Sequence, residues 1–74
     1  DFRGSKLDMA NFAEADLAEA RLENVSATMA IFAGAVLTKA SLRGSKLRNS
    51  ILPNTKALGA SFAGCDLRET VWSE

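Results

Sequence analysis

The groups in this chain that could do chemistry are few. Cys65 is its one thiol, there is no histidine and no tyrosine, and the one close set of carboxylates is Glu14, Asp16 and Glu19. A nucleophilic thiol needs an exposed, electropositive setting, whereas Cys65 falls at an inward place of the frame described below, where Ala or Ser also occurs. A hard cation needs several oxygen ligands converging in one cage, and three carboxylates near a common edge read as a solvated acidic patch. The residue inventory therefore implies no catalytic residue, no cofactor site and no metal site, and the chain reads as a non-enzyme.

What positions these residues is a five-residue frame. Cut every five residues, the chain reads SKLDM, ANFAE, ADLAE, ARLEN, VSATM, AIFAG, AVLTK, ASLRG, SKLRN, SILPN, TKALG, ASFAG, CDLRE, TVWSE, with no insertion or deletion. The third place of each block, its centre, holds every aromatic residue and every leucine but Leu58; Ala27 and Ala57 are the small exceptions. The first place is small or modest throughout. Places two apart share a side on an extended chain, so both apolar classes point inward. The fifth place holds all the glycines (Gly4, Gly34, Gly44, Gly59, Gly64) together with Asn24, Asn49 and Asn54. Gly and Asn tolerate the positive φ that the third residue of a type II turn requires. The chain is expected to turn after every block, and four blocks complete a 20-residue circuit.

A helix is the rival for NFAEADLAEARLEN, which is rich in helix formers. A five-residue step turns a helix by about 500°, or roughly 140° net, so Phe12, Leu17 and Leu22 would share no stripe. The register shared with the other blocks overrules the helical preference, and a helix over residues 10–24 would be the sign against it.

These blocks resemble the pentapeptide-repeat family, whose motif A(D/N)Lxx is seen here in ADLAE and CDLRE, with ANFAE and ASFAG close to it. The resemblance implies an all-β fold, a right-handed quadrilateral β-helix, in a single domain over residues 1–74. At 20 residues per coil, 74 residues make about 3.7 coils. The centres then stack in columns, and the corner of Met9, Met29, Asn49 and Glu69 is expected to turn differently from the glycine corner, because Met disfavours positive φ.

Charge and length bound the function. Lys and Arg total 9 and Asp and Glu total 9, so no net field recruits nucleic acid. Residues 1–37 carry six acids against three bases and residues 38–74 carry six bases against three acids. Head-to-tail stacking of solenoid ends is therefore expected to be electrostatically favourable. No apolar run approaches the roughly 20 residues of a membrane span. One cysteine permits no internal disulfide, and the expected compartment is the cytoplasm, with secretion beside an effector or adaptor as the other option. The chain lacks an initiator Met and begins inside the pattern, so it reads as a segment of a longer, bacterial protein.

In a solenoid, inward residues serve stacking and function comes from outward places. One side presents Ile31, Ala33, Ile51, Pro53 and Val71, extended by Met29, Val36 and Leu58: a charge-free apolar stripe. Trp72 is expected over the end layer. The expected role is a non-catalytic scaffold or protein–protein interaction module appended to a larger protein. Its partner would be a protein, a neighbouring domain or another copy, meeting the apolar stripe or the solenoid ends. The alternative implied by the resemblance is a DNA mimic that binds a topoisomerase, as in the quinolone-resistance members. Such mimicry needs acidic residues along a long rod, which the basic second half does not supply.

Overall fold

A computed structural model describes residues 1–72. Parallel bridges join second-place residues 20 apart and form four ladders among the described residues: Arg21–Ser41–Ser61 (face 1), Lys6–Ser26–Lys46–Asp66 (face 2), Asn11–Ile31–Ile51–Val71 (face 3) and Asp16–Val36–Lys56 (face 4). The chain thus passes over itself every 20 residues, with four sides to each circuit. Each ladder rung is a single bridged residue, shorter than the three extended residues per block that the frame implies. A corner every fifth residue leaves one place per side able to bond in both directions.

The bonding repeats from block to block. Ser26 donates its N–H to the Ser5 carbonyl below at 3.0 Å, and its own carbonyl accepts from Leu7 N–H at 2.6 Å. The fifth-place N–H reaches the fourth-place carbonyl of the coil above, as from Met9 to Thr28 at 2.9 Å. Within the corners, that between Leu22 and Val25 excepted, the next block's first N–H closes back on the centre's carbonyl, as from Ala10 to Leu7 at 3.0 Å. Buried main-chain groups have to be paired, and among the N–H donors this scheme leaves over the one at the fourth place.

A carboxylate or amide two residues earlier takes that leftover donor. Ala13 N–H donates to Asn11 Oδ1 at 2.9 Å, and the N–H groups of Ala18 and Arg68 donate to Oδ1 of Asp16 and Asp66, each at 3.1 Å. This is an Asx turn, and it gives the D/N of the motif its physical cause. Pro53 occupies a fourth place, where a missing N–H costs nothing and its fixed φ suits the second residue of a type II turn.

Every fifth-place residue from Gly4 to Glu69 has positive φ. The corner of Met9, Met29, Asn49 and Glu69 therefore does not turn differently: its φ values are 62, 61, 62 and 61°. A left-handed residue costs about 1–2 kcal/mol outside Gly. A corner of the other sign would break the bonds that join each coil to its neighbours, and those outweigh the side-chain preference.

The core lies in the middle coils. Leu22, Leu37, Leu42, Leu47 and Leu52 are buried, as are Phe32 and the first-place residues Val25, Ala30, Ala35 and Ala40. Each fully buried leucine contributes about 1.5–3 kcal/mol. Phe2, Leu7, Phe12, Phe62 and Leu67 at the two ends are partly buried against this cluster. Phe12 stacks on Phe32 with centroids 5.3 Å apart, and Phe2 meets the edge of Phe12 at 6.1 Å.

Inward hydroxyls and the thiol add a second link between coils. Ser45, Thr55 and Cys65 each donate to the carbonyl 23 residues earlier, of Leu22, Phe32 and Leu42. Ser50 is equally buried, but its Oγ has no partner among the described residues.

Candidate interaction face

Face 3 carries the apolar stripe. Its second places stack as the ladder Asn11, Ile31, Ile51, Val71, and its fourth places stack beside them, since Glu14 N–H bonds Ala33 O and Gly34 N–H bonds Pro53 O. Ile51 is 38% and Val71 45% exposed, while Ile31, Ala33 and Pro53 are half-buried. The branched side chains make a ridge along the stack, and Ala13, Ala33 and Pro53 make a low trough beside it. β-Branched residues suit a pleated surface, and here they also stand in one uncharged column.

The corners widen this surface. Met29 is 50% exposed on the ridge side, and Met9 lies 20 residues before it on the same corner. The place of Met9 follows from its 20-residue spacing to Met29, although its position among the outward residues is easily overlooked in the sequence. Across the other corner, face 4 offers half-buried Val36 and Leu58, the latter 83% exposed. Trp72 lies at the end layer, 43% exposed, with its ring edge-on to Phe62 at 5.6 Å and its indole N–H donating to Thr70 Oγ1 at 2.9 Å.

Charge gathers on faces 1 and 2. Arg3 pairs with Asp1 at 2.6 Å, Arg68 with Asp66 at 2.7 Å and Arg48 with Glu69 at 3.4 Å, all on the solvent side. A shallow groove of about 500 Å³ follows the corner between these faces, lined by Glu23, Asn24, Arg43, Gly44, Ala63 and Gly64. Among the described residues no three His, Cys, Asp or Glu side chains gather as a metal group. Cys65 is half-buried with its Sγ on the Leu42 carbonyl, and burial pushes its thiol pKa up, against reactivity.

Charge is unevenly distributed along the stack. The basic excess sits in residues 35–54, which hold Lys39, Arg43, Lys46 and Arg48 and no acid. Residues 55–72 balance Lys56 and Arg68 against Asp66 and Glu69, while residues 1–20 carry five acids and two bases.

The family model for pentapeptide repeats matches residues 1–28 and 15–54, with eight copies. The chain belongs to the pentapeptide-repeat family. No curated protein matches it. Among the described residues, no helix is long and apolar enough to cross a membrane.

Proposed function

We propose that this pentapeptide-repeat chain is a right-handed quadrilateral β-helix of about 3.7 coils over its 74 residues, acting as a non-catalytic scaffold that docks a protein through face 3. One observation carries this reading: Ile31, Ile51 and Val71 form a bridged, uncharged and solvent-facing ladder on a scaffold whose other faces are charged. A contiguous apolar patch rimmed by polar residues marks an interaction site more often than scattered apolar residues do. Membership of a family of structural modules supports the same reading. DNA mimicry is less well supported, because residues 35–54 carry Lys39, Arg43, Lys46 and Arg48 and no acid.

Site-specific photo-crosslinking tests this. A photoreactive side chain at Ile51 is expected to yield several-fold more protein adducts than one at Arg43 on face 1. Equal yields would remove face 3 as the docking surface.

A further inference from the structure

We infer that face 3 is self-complementary, and that its occupant is face 3 of a second copy of this chain with the two solenoid axes parallel. The inference rests on the reading of face 3 as the docking surface and adds what docks there.

The argument begins with the relief of the face. Its ridge is Ile31, Ile51 and Val71 in successive coils; Ala33 and Pro53, two residues after Ile31 and Ile51, form the trough, and Ala13, two residues after Asn11, extends it into the first coil. Two copies can meet face to face about a two-fold axis in either of two directions. An axis parallel to the stack carries each ridge across to the partner's trough in the same layer, Ile31 over Ala33 and Ile51 over Pro53. An axis across the stack sets ridge against ridge. Interiors tolerate few voids, so only the parallel arrangement packs. An interface of this kind is isologous and closes at two copies.

Two further features agree. On the ridge side the corner residue Met29 faces the partner's trough-side corner, where Gly34 stands in the same layer with no side chain to obstruct it. A ridge with one side chain per coil, about 4.8 Å apart, also needs a trough of the same period. A second stack of such coils supplies one, and a helix with its 5.4 Å pitch does not.

Size sets the strength. At about 4.8 Å per layer and roughly 3.4 Å per residue, the face covers on the order of 300 Å². A standard interface takes about 800 Å² per partner, so the dimer is weak and fills only at high concentration.

The test uses disulfide trapping in a Cys65→Ser background, with Ile31→Cys and Ala33→Cys placed on separate chains. On mixing and oxidation at high concentration, the Ile31→Cys chain is expected to link to the Ala33→Cys chain in several-fold excess over either homodimer. A predominant Ile31→Cys homodimer would show ridge against ridge and overturn the parallel arrangement. In sedimentation equilibrium the unmodified chain is expected to dimerise, and Ile31→Asp with Ile51→Asp to weaken it by about tenfold or more. A monomer at millimolar concentration would overturn the inference. Adducts at Ile51 with other proteins would still uphold face 3 as a docking surface, which separates the two failures.

Discussion

The Ser45 hydroxyl stands inside the corner of the coil beneath it, accepting the Val25 N–H at 3.0 Å while donating to the Leu22 carbonyl. In the other corners of the middle coils the first-place N–H closes directly on the centre's carbonyl, as from Ala30 to Ala27 at 3.1 Å. Between Leu22 and Val25 the hydroxyl takes over that role. All three residues are buried, so no solvent can replace it.

Ser45→Ala is therefore expected to destabilise the fold by about 1–3 kcal/mol, the cost of leaving a buried donor unpaired. Ser50→Ala, five residues on and equally buried, removes a hydroxyl that has no partner among the described residues. It should be neutral or stabilising by up to about 1 kcal/mol. Urea denaturation of the two variants in parallel checks both; equal losses would contradict the assigned roles.

The corners give a second contrast. Gly4 and Gly44 lie on one corner with φ of 73 and 72°. A Cβ at Gly4 meets nothing within 4 Å, whereas one at Gly44 falls 2.5 Å from Asn24 Oδ1. Both Ala variants meet the left-handed penalty of about 1–2 kcal/mol, and Gly44→Ala should cost more. Asn24→Gly in the Gly44→Ala background should recover the excess and leave the φ penalty, a coupling that a double-mutant cycle in denaturant would read.

Much of this was legible in the sequence, because a five-residue frame without a break dictates which residues stack. The centres Leu22, Phe32, Leu42 and Leu52 are buried as that frame requires, and Ile31, Ile51 and Val71 stand in one ladder. The corner of Met9 and Met29 was not legible, because residue type reports local preference while the bonds between coils impose the turn. The Ser45 link was hidden for another reason: Ala and Ser fill the first place alike, and only the layers in contact show which hydroxyl finds a carbonyl.

Glu19 extends the corner argument to an exposed, long side chain held at a φ of 61°. Glu19→Gly should remove a left-handed strain of about 1–2 kcal/mol while adding about 0.4–1 kcal/mol of unfolded-chain entropy. The net expectation is a small gain in stability. A lower thermal midpoint would mean that the Glu19 side chain makes a contact worth more than the strain.

Acid sensitivity follows from the carboxylates whose charged form is held by hydrogen bonds. Asp8 Oδ1 accepts the Ser26 hydroxyl at 2.7 Å and the Thr28 N–H at 2.9 Å, tying the first coil to the second. The Ser26 bond, and then the Thr28 bond, hold its carboxyl below the usual carboxylate range. Asp66 is lowered too, first by the Arg68 side chain and then by the Arg68 N–H. A depressed folded pKa means that the unfolded chain takes up its proton first, so the contribution is present in full above the unfolded value of about 3.9. It is lost as pH falls through the folded value. Stability should be level from neutral pH to about pH 5 and then fall. Asp8→Asn should flatten part of that fall, because the neutral amide still accepts both bonds while titrating nothing. Denaturant midpoints of the two proteins between neutral pH and about pH 3 would decide it, and parallel curves would mean that Asp8 does not link the coils through its charge.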